Sequence, residues 1–217
     1  MVNRIYPPTR GPTGRLLYDL ARHLADEGYD VTVLSADRQD KQDAKSEDLT
    51  GVKIIRARGL KNPRKFLANL YLCVSLFVSL LSVKRPDILI TMTDPPFFHI
   101  FAGIYIKFRG IKHIHWCQDM YPDIMPALSY NLPQFLLSFL QKRADNALSS
   151  CAYIVAISKC MRRKLAEKEL HKHQLKVIEN WYDDALFEQK EAEQLDLPEK
   201  FRVMFAGNLG RAHPMVT

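Results

Sequence analysis

Tyr6-Pro7-Pro8-Thr9-Arg10-Gly11-Pro12-Thr13-Gly14-Arg15 separates a short apolar run, Met1 to Tyr6, from a segment in which Leu16, Leu17, Leu20, Ala21 and Leu24 recur with the spacing of one buried helix face. The order is strand, glycine-rich loop, helix. Pro7 and Pro8 end the strand, and Gly11 and Gly14 are expected to turn the backbone at positive φ and bring it close to another molecule. Amides that open a helix favour an anion, most often a phosphate. Two readings of the loop stand side by side: a phosphate cradle, or two glycines placed for geometry alone. The Gly11-Pro-Thr-Gly14 spacing matches neither the dinucleotide fingerprint nor a P-loop, which disfavours both of those enzyme types.

Working outward, Glu27-Gly28-Tyr29-Asp30 supplies a glycine stop and Val31 to Leu34 a second strand. Strand, helix and strand within about 35 residues form a βαβ unit with parallel strands. Residues 37 to 51 are polar, and Val52 to Ala57 is a third strand. The alternation continues through strand Ile88 to Met92, helix Phe97 to Arg109, strand Lys112 to Trp116, helix Gln134 to Ser149 and strand Ala152 to Ile157. Helix Lys159 to Leu170, with Ser158 as its N-cap, and strand Leu175 to Glu179 complete it. This is the period of an α/β fold, a Rossmann-like doubly wound parallel sheet.

Composition is that of an ordinary globular chain, 47% apolar and 25% charged over 217 residues, which excludes fibrous and disordered classes. The net charge of +7 is uneven. Residues 1 to 176 hold 27 Lys/Arg against 16 Asp/Glu, and residues 177 to 217 hold 4 against 8. A basic body favours anionic partners, although a solvated basic face serves as well. Arg56, Arg58, Lys61, Arg64 and Lys65 precede the nearly uncharged run Phe66 to Val83. That run is short for the ~20 residues of a bilayer span. It reads either as a helix on the sheet whose apolar flank touches lipid while the basic cluster meets headgroups, or as a core helix behind a solvated loop. Cys73, Cys117, Cys151 and Cys160 show no metal spacing; three of the four sit in apolar runs, which favours small buried hydrophobes in a reducing cytosol. Arg4 and the Pro-Pro turn leave no apolar leader, so no signal peptide is expected at the start of the chain. His115 reads as a packed strand residue.

Seven motifs now stand in order: Tyr6-Pro-Pro with Gly11-Pro-Thr-Gly14; Gly28-Tyr-Asp-Val-Thr-Val-Leu34; Thr93-Asp-Pro-Pro-Phe97; Gln118-Asp-Met-Tyr-Pro122; Ile157-Ser158 with Met161-Arg162; Ile178-Glu-Asn-Trp181; and Ala206-Gly-Asn-Leu-Gly-Arg211. Together they resemble the family 4 glycosyltransferases of the GT-B fold, especially the sugar-nucleotide enzymes of capsule, exopolysaccharide and cell-envelope assembly. The resemblance implies two Rossmann-like domains facing a cleft. Residues 1–182 would be the acceptor-side domain, 183–200 an acidic linker, and 201–217 the first strand and loop of an incomplete donor domain. In the family the acidic E-x7-E-type segment that holds the donor comes later than Thr217.

By the same resemblance the chain is a truncated part, inactive in isolation, of a retaining transferase that takes a nucleotide sugar as donor and a glycan or lipid-linked acceptor, at the inner face of the cytoplasmic membrane. It is expected to need no cofactor or metal and to bind no nucleic acid. Gly11, Thr13, Gly14 and Arg15, with Asn180 and with Gly207, Asn208, Gly210 and Arg211, would contact donor phosphates or substrate. Asp119 would orient, or accept a proton from, the acceptor hydroxyl. Gln118 stands where the family carries Arg, which alters the charge balance at Asp119, and Asp119 also reads as a turn residue before Tyr121-Pro122. A non-catalytic alternative is a split or remnant domain that binds acceptor, membrane or a partner chain. A further alternative is an unrelated Rossmann-like binding domain, which leaves the Gly207 to Arg211 loop unexplained.

Overall fold

The computed structural model describes residues 1–9, 11–36, 51–58, 66–128, 132–168, 170 and 174–182. Among them run α1 (Pro12–Asp26), β1 (Thr32–Ala36), β2 (Lys53–Ala57), α2 (Phe66–Ser82), β3 (Ile88–Met92) and α3 (Phe98–Arg109). The chain continues with β4 (Lys112–Cys117), α4 (Gln134–Ser149), β5 (Tyr153–Ala156), α5 (Lys159–Ala166) and β6 (Leu175–Val177). β1 pairs with β2, and β3, β4, β5 and β6 pair in that order, every pairing parallel.

The N-terminal residues join the two groups of strands. Val2 bridges Leu34 on one side and Thr91 on the other. Its N–H donates to the Ile90 carbonyl at 2.8 Å and its carbonyl accepts from Met92 at 3.0 Å. The expected first strand is thus a short central contact, ended where Arg4 shifts register to the Asp94 carbonyl and Pro7 and Pro8 offer no N–H. Spatial order is β2, β1, Met1–Arg4, β3, β4, β5, β6. Strand order reverses at Met1–Arg4, so the crevice outside the carboxyl ends there is the topological switch point where such sheets bind ligands.

Val33 and Leu34, adjacent on β1, feed different clusters, as alternation along a strand requires. Leu34 joins Leu72, Leu76 and Leu80 of α2 and Phe98 and Tyr105 of α3. Val33 joins Leu16, Leu17 and Ala21 of α1 with Met92 and Trp116.

Two expectations need correction. Gly11 has an extended φ of 166°, and Gly14 lies within α1, which starts at Pro12, a residue whose fixed φ suits a first helical position. Positive-φ glycines among the described residues are Gly28, Gly51 and Gly110. The need at Gly14 is room: a Cβ there would lie 2.7 Å from Ile5 Cγ2 and 3.1 Å from the Ile5 carbonyl carbon and oxygen. Similarly, α5 ends at Ala166 instead of Leu170, because the chain leaves the helix to bury Leu170 against Leu165 and Leu175.

Candidate active site

Loops at the carboxyl edge of the sheet converge on Asp119. Thr93, just past β3, places its hydroxyl oxygen to accept from the N–H of Gln118 at 2.8 Å and of Asp119 at 3.2 Å. One β3 side chain therefore positions the turn after β4. Gln118 and Asn180 form a reciprocal amide pair, with N···O distances of 3.2 and 2.9 Å. The residue after Asn180, Trp181, stacks on Trp116 of β4 at 5.3 Å and donates Nε1–H to Asp19 of α1 at 3.2 Å. Asp19 also accepts from Arg15 Nε at 3.1 Å. Residues 178–182 thus lie across the cleft edge and link the Asp119 turn to the α1 helix that begins at the glycine loop.

Besides Asp119, charge in this crevice comes from two residues that the sequence did not mark as a pair. Arg4 Nε sits 2.9 Å from Asp94 Oδ1 and 3.0 Å from Oδ2. Burial pushes the Asp94 carboxyl above its ordinary range; Arg4 opposes this shift and the nearby Asp119 charge adds to it. Burial also raises Asp119, although the residue as a whole is exposed. Gln118 spends its side chain on Asn180, and Arg4 brings a guanidinium to this edge, paired with a second carboxylate, Asp94. Asp94 was quoted in a motif and Arg4 only as a break in the apolar start; their pairing across ninety residues has no local signature.

Behind Asp119 lies a set of buried histidines. His99, His115, Asp119 and Lys168 line a small cavity of about 10 Å³. Thr91 Oγ1 lies 2.8 Å from His113 Nε2 and 3.0 Å from His115 Nδ1, and neither ring nitrogen of His99 has a hydrogen-bond partner. Burial lowers His99 to about 4 and His113 to about 3, and pushes His115 well below its usual value. His115 is a packed strand residue, as its pattern implied.

Of the predicted contacts, Gly11, Thr13, Gly14 and Arg15 open α1, and Asn180 reaches the Asp119 turn. Arg56 turns inward, bonding the carbonyls of Tyr6 and Pro7 and lying 5.8 Å from the Tyr6 ring centroid. It clasps the loop instead of facing outward with the exposed Arg58. Lys61, Arg64, Lys65, Gly207, Asn208, Gly210 and Arg211 lie outside the described residues, as do the expected linker and second domain. Among the described residues no three of His, Cys, Asp and Glu gather as a metal site, and no helix is long and apolar enough to cross a membrane.

The fold and this crevice define a Rossmann-like α/β sheet with a ligand-type edge at the Asp119 turn. A profile of Glycosyltransferase Family 4 matches residues 13–186, and the chain belongs to that family. Solved structures of the Anabaena protein HepE share its GT-B, Rossmann-like fold. The complex with UDP-glucose aligns with a TM-score of 0.58 at 14% identity, and that with UDP and glucose with 0.56 at 14%. The complex with UDP gives 0.56 at 12%. In each case the match covers 88% of this chain and 46% of HepE, so the chain spans less than half of that protein's length. No curated protein matched in sequence.

Proposed function

We propose that the chain is the acceptor-side part of a retaining, nucleotide-sugar-dependent glycosyltransferase acting on a cell-envelope or exopolysaccharide acceptor, glycan or lipid-linked, at the inner membrane face. The observation that carries the reading is Asp119, held by Thr93 at the switch-point edge with Asn180 beside it, in a chain of this family. The HepE complexes support a uridine nucleotide as the first donor to try.

In the reaction the bond from the sugar's anomeric carbon to the diphosphate oxygen breaks, and a bond to an acceptor oxygen forms on the same face. The acceptor proton goes to a base and the diphosphate leaves with the electron pair. Asp119 orients the acceptor hydroxyl or takes its proton, and its raised pKa brings the carboxylate closer to working pH as a base. The first-turn amides of α1, around Thr13 and Gly14, provide dipoles for developing phosphate charge. No resident metal or cofactor is invoked. Residues 183–200 act as linker and Gly207 to Arg211 as the donor-phosphate loop of the second domain.

The test is transfer of labelled glucose from UDP-glucose, and of other nucleotide sugars in turn, to membrane extracts by wild type and Asp119→Asn. Loss of transfer in the variant with nucleotide binding retained supports the assignment. Equal rates refute it, and a wild-type chain that neither transfers nor binds nucleotide supports instead the non-catalytic domain that needs a partner chain.

A further inference from the structure

α2, α3 and α4 lie side by side, and their outward face is apolar and basic. α2 buries Ala68, Leu72, Leu76 and Leu80 yet exposes Leu67, Tyr71, Val74, Val78 and Leu81 on the opposite flank, each at 44 to 73%. Phe108 of α3 is 82% exposed, and Phe135 and Phe139 of α4 are 76% and 53% exposed. Isolated exposed apolar residues are ordinary, but a run across three neighbouring helices marks an interaction surface.

The charges on this layer have one sign wherever they face outward. α2 has no charged residue and α3 only Lys107 and Arg109; the lone acid on the three helices, Asp145, is paired with Lys168 at 3.0 Å. Between α3 and α4 lies a groove of about 980 Å³, floored by Gly103 and Ala147 and walled by Phe101, Ile104, Phe139 and Leu140. Lys107 and Arg143 are its charged lining residues, and no Asp or Glu lines it among the described residues. One end of the groove is formed by Phe97 and Tyr121, whose rings meet edge to face at 5.7 Å. Tyr121 is two residues from Asp119. Phe97 holds a left-handed φ of 68°, a conformation costly for a bulky residue and sustained only where the surroundings impose it.

We propose that the outer face of α2, α3 and α4 docks on an anionic phospholipid bilayer, with Lys107, Arg109 and Arg143 at the headgroups and the α3/α4 groove receiving a lipid chain. Charge complementarity chooses this occupant. Apolar side chains ringed by cations, without outward-facing acids, match an anionic interface. The proposal deepens the membrane-facing acceptor reading above and rests on it. It moves the contact from the residue 56–65 cluster to the helical layer, whose groove leads toward Asp119.

Co-sedimentation with phosphatidylcholine vesicles, with and without phosphatidylglycerol, tests it on the whole chain. Binding should require phosphatidylglycerol, weaken with salt, and fall by at least about tenfold in Phe108→Glu/Phe139→Glu, whose exposed positions leave folding undisturbed. Tyr29→Glu, exposed elsewhere, should bind as wild type. Wild-type binding by the double variant overturns the proposal. So does loss of binding only when Arg58, Lys61, Arg64 and Lys65 are reversed in charge, or a lipid-free dimer that the double variant splits while vesicles are ignored. No donor is present, so a failure here leaves sugar transfer standing, and a failure of transfer leaves vesicle binding to be read by itself.

Discussion

Gly14 shows how a single hydrogen in place of a methyl can fix where a helix starts against the strand before it. The residue sits in the first turn of α1 with regular helical backbone, and Ile5 fills the space its side chain would need. Gly14→Ala should lower stability by roughly 1–3 kcal/mol, the range of overpacking, although alanine is the better helix former. Urea unfolding of the two proteins measures this, and a more stable variant would show that α1 can slide away from Ile5. The sequence displayed the glycine but not its reason. Freedom at positive φ and lack of bulk are both glycine properties, and the choice between them depends on Ile5, nine residues away and across the loop. The place of Asp119 just past β4, at the carboxyl edge of the sheet, was legible from the doubly wound period, whereas the Arg4 to Asp94 pair was not.

At the level of elements, one hydroxyl joins β3 to the turn after β4. Thr93→Val keeps shape and burial but leaves the Gln118 and Asp119 amides without their acceptor. Leaving buried donors unmet costs about 1–3 kcal/mol. Thr93→Val should therefore reduce both stability and transfer, and Thr93→Ser should restore them; denaturant midpoints and rates on the same preparations give the answer. The elements themselves were readable to within a few residues: β3 and α4 fall where the pattern set them, and α2 loses one residue at its end. Hydrophobic period carries that information. It does not say which of α2's two apolar flanks meets the sheet, since both read alike until Leu34, Phe98 and Tyr105 select one.

For the whole molecule, the buried histidines set an acid limit. The folded pKa of His99 and His113 lies below the ordinary 6.5, at about 4 and about 3, so the unfolded chain binds more protons between those values. Stability is complete above pH 6.5 and is lost as pH falls toward 4, at up to about 1.4 kcal/mol per pH unit for each histidine. The raised carboxyls work in the opposite sense, since Asp94 and Asp119 bind protons more readily when folded and so offset part of the loss. Melting temperature measured from pH 7.5 to 4.5 should fall steeply, and His99→Phe, which sacrifices no hydrogen bond, should flatten the slope. An unchanged slope would mean that His99 takes up its proton without unfolding. A different consequence follows from Trp116 and Trp181. They are the protein's two tryptophans, and they are stacked on each other at the cleft edge. Native emission is therefore a single-site signal: any ligand or partner that lifts residues 178–182 from β4 separates the indoles and changes the fluorescence, with no label introduced.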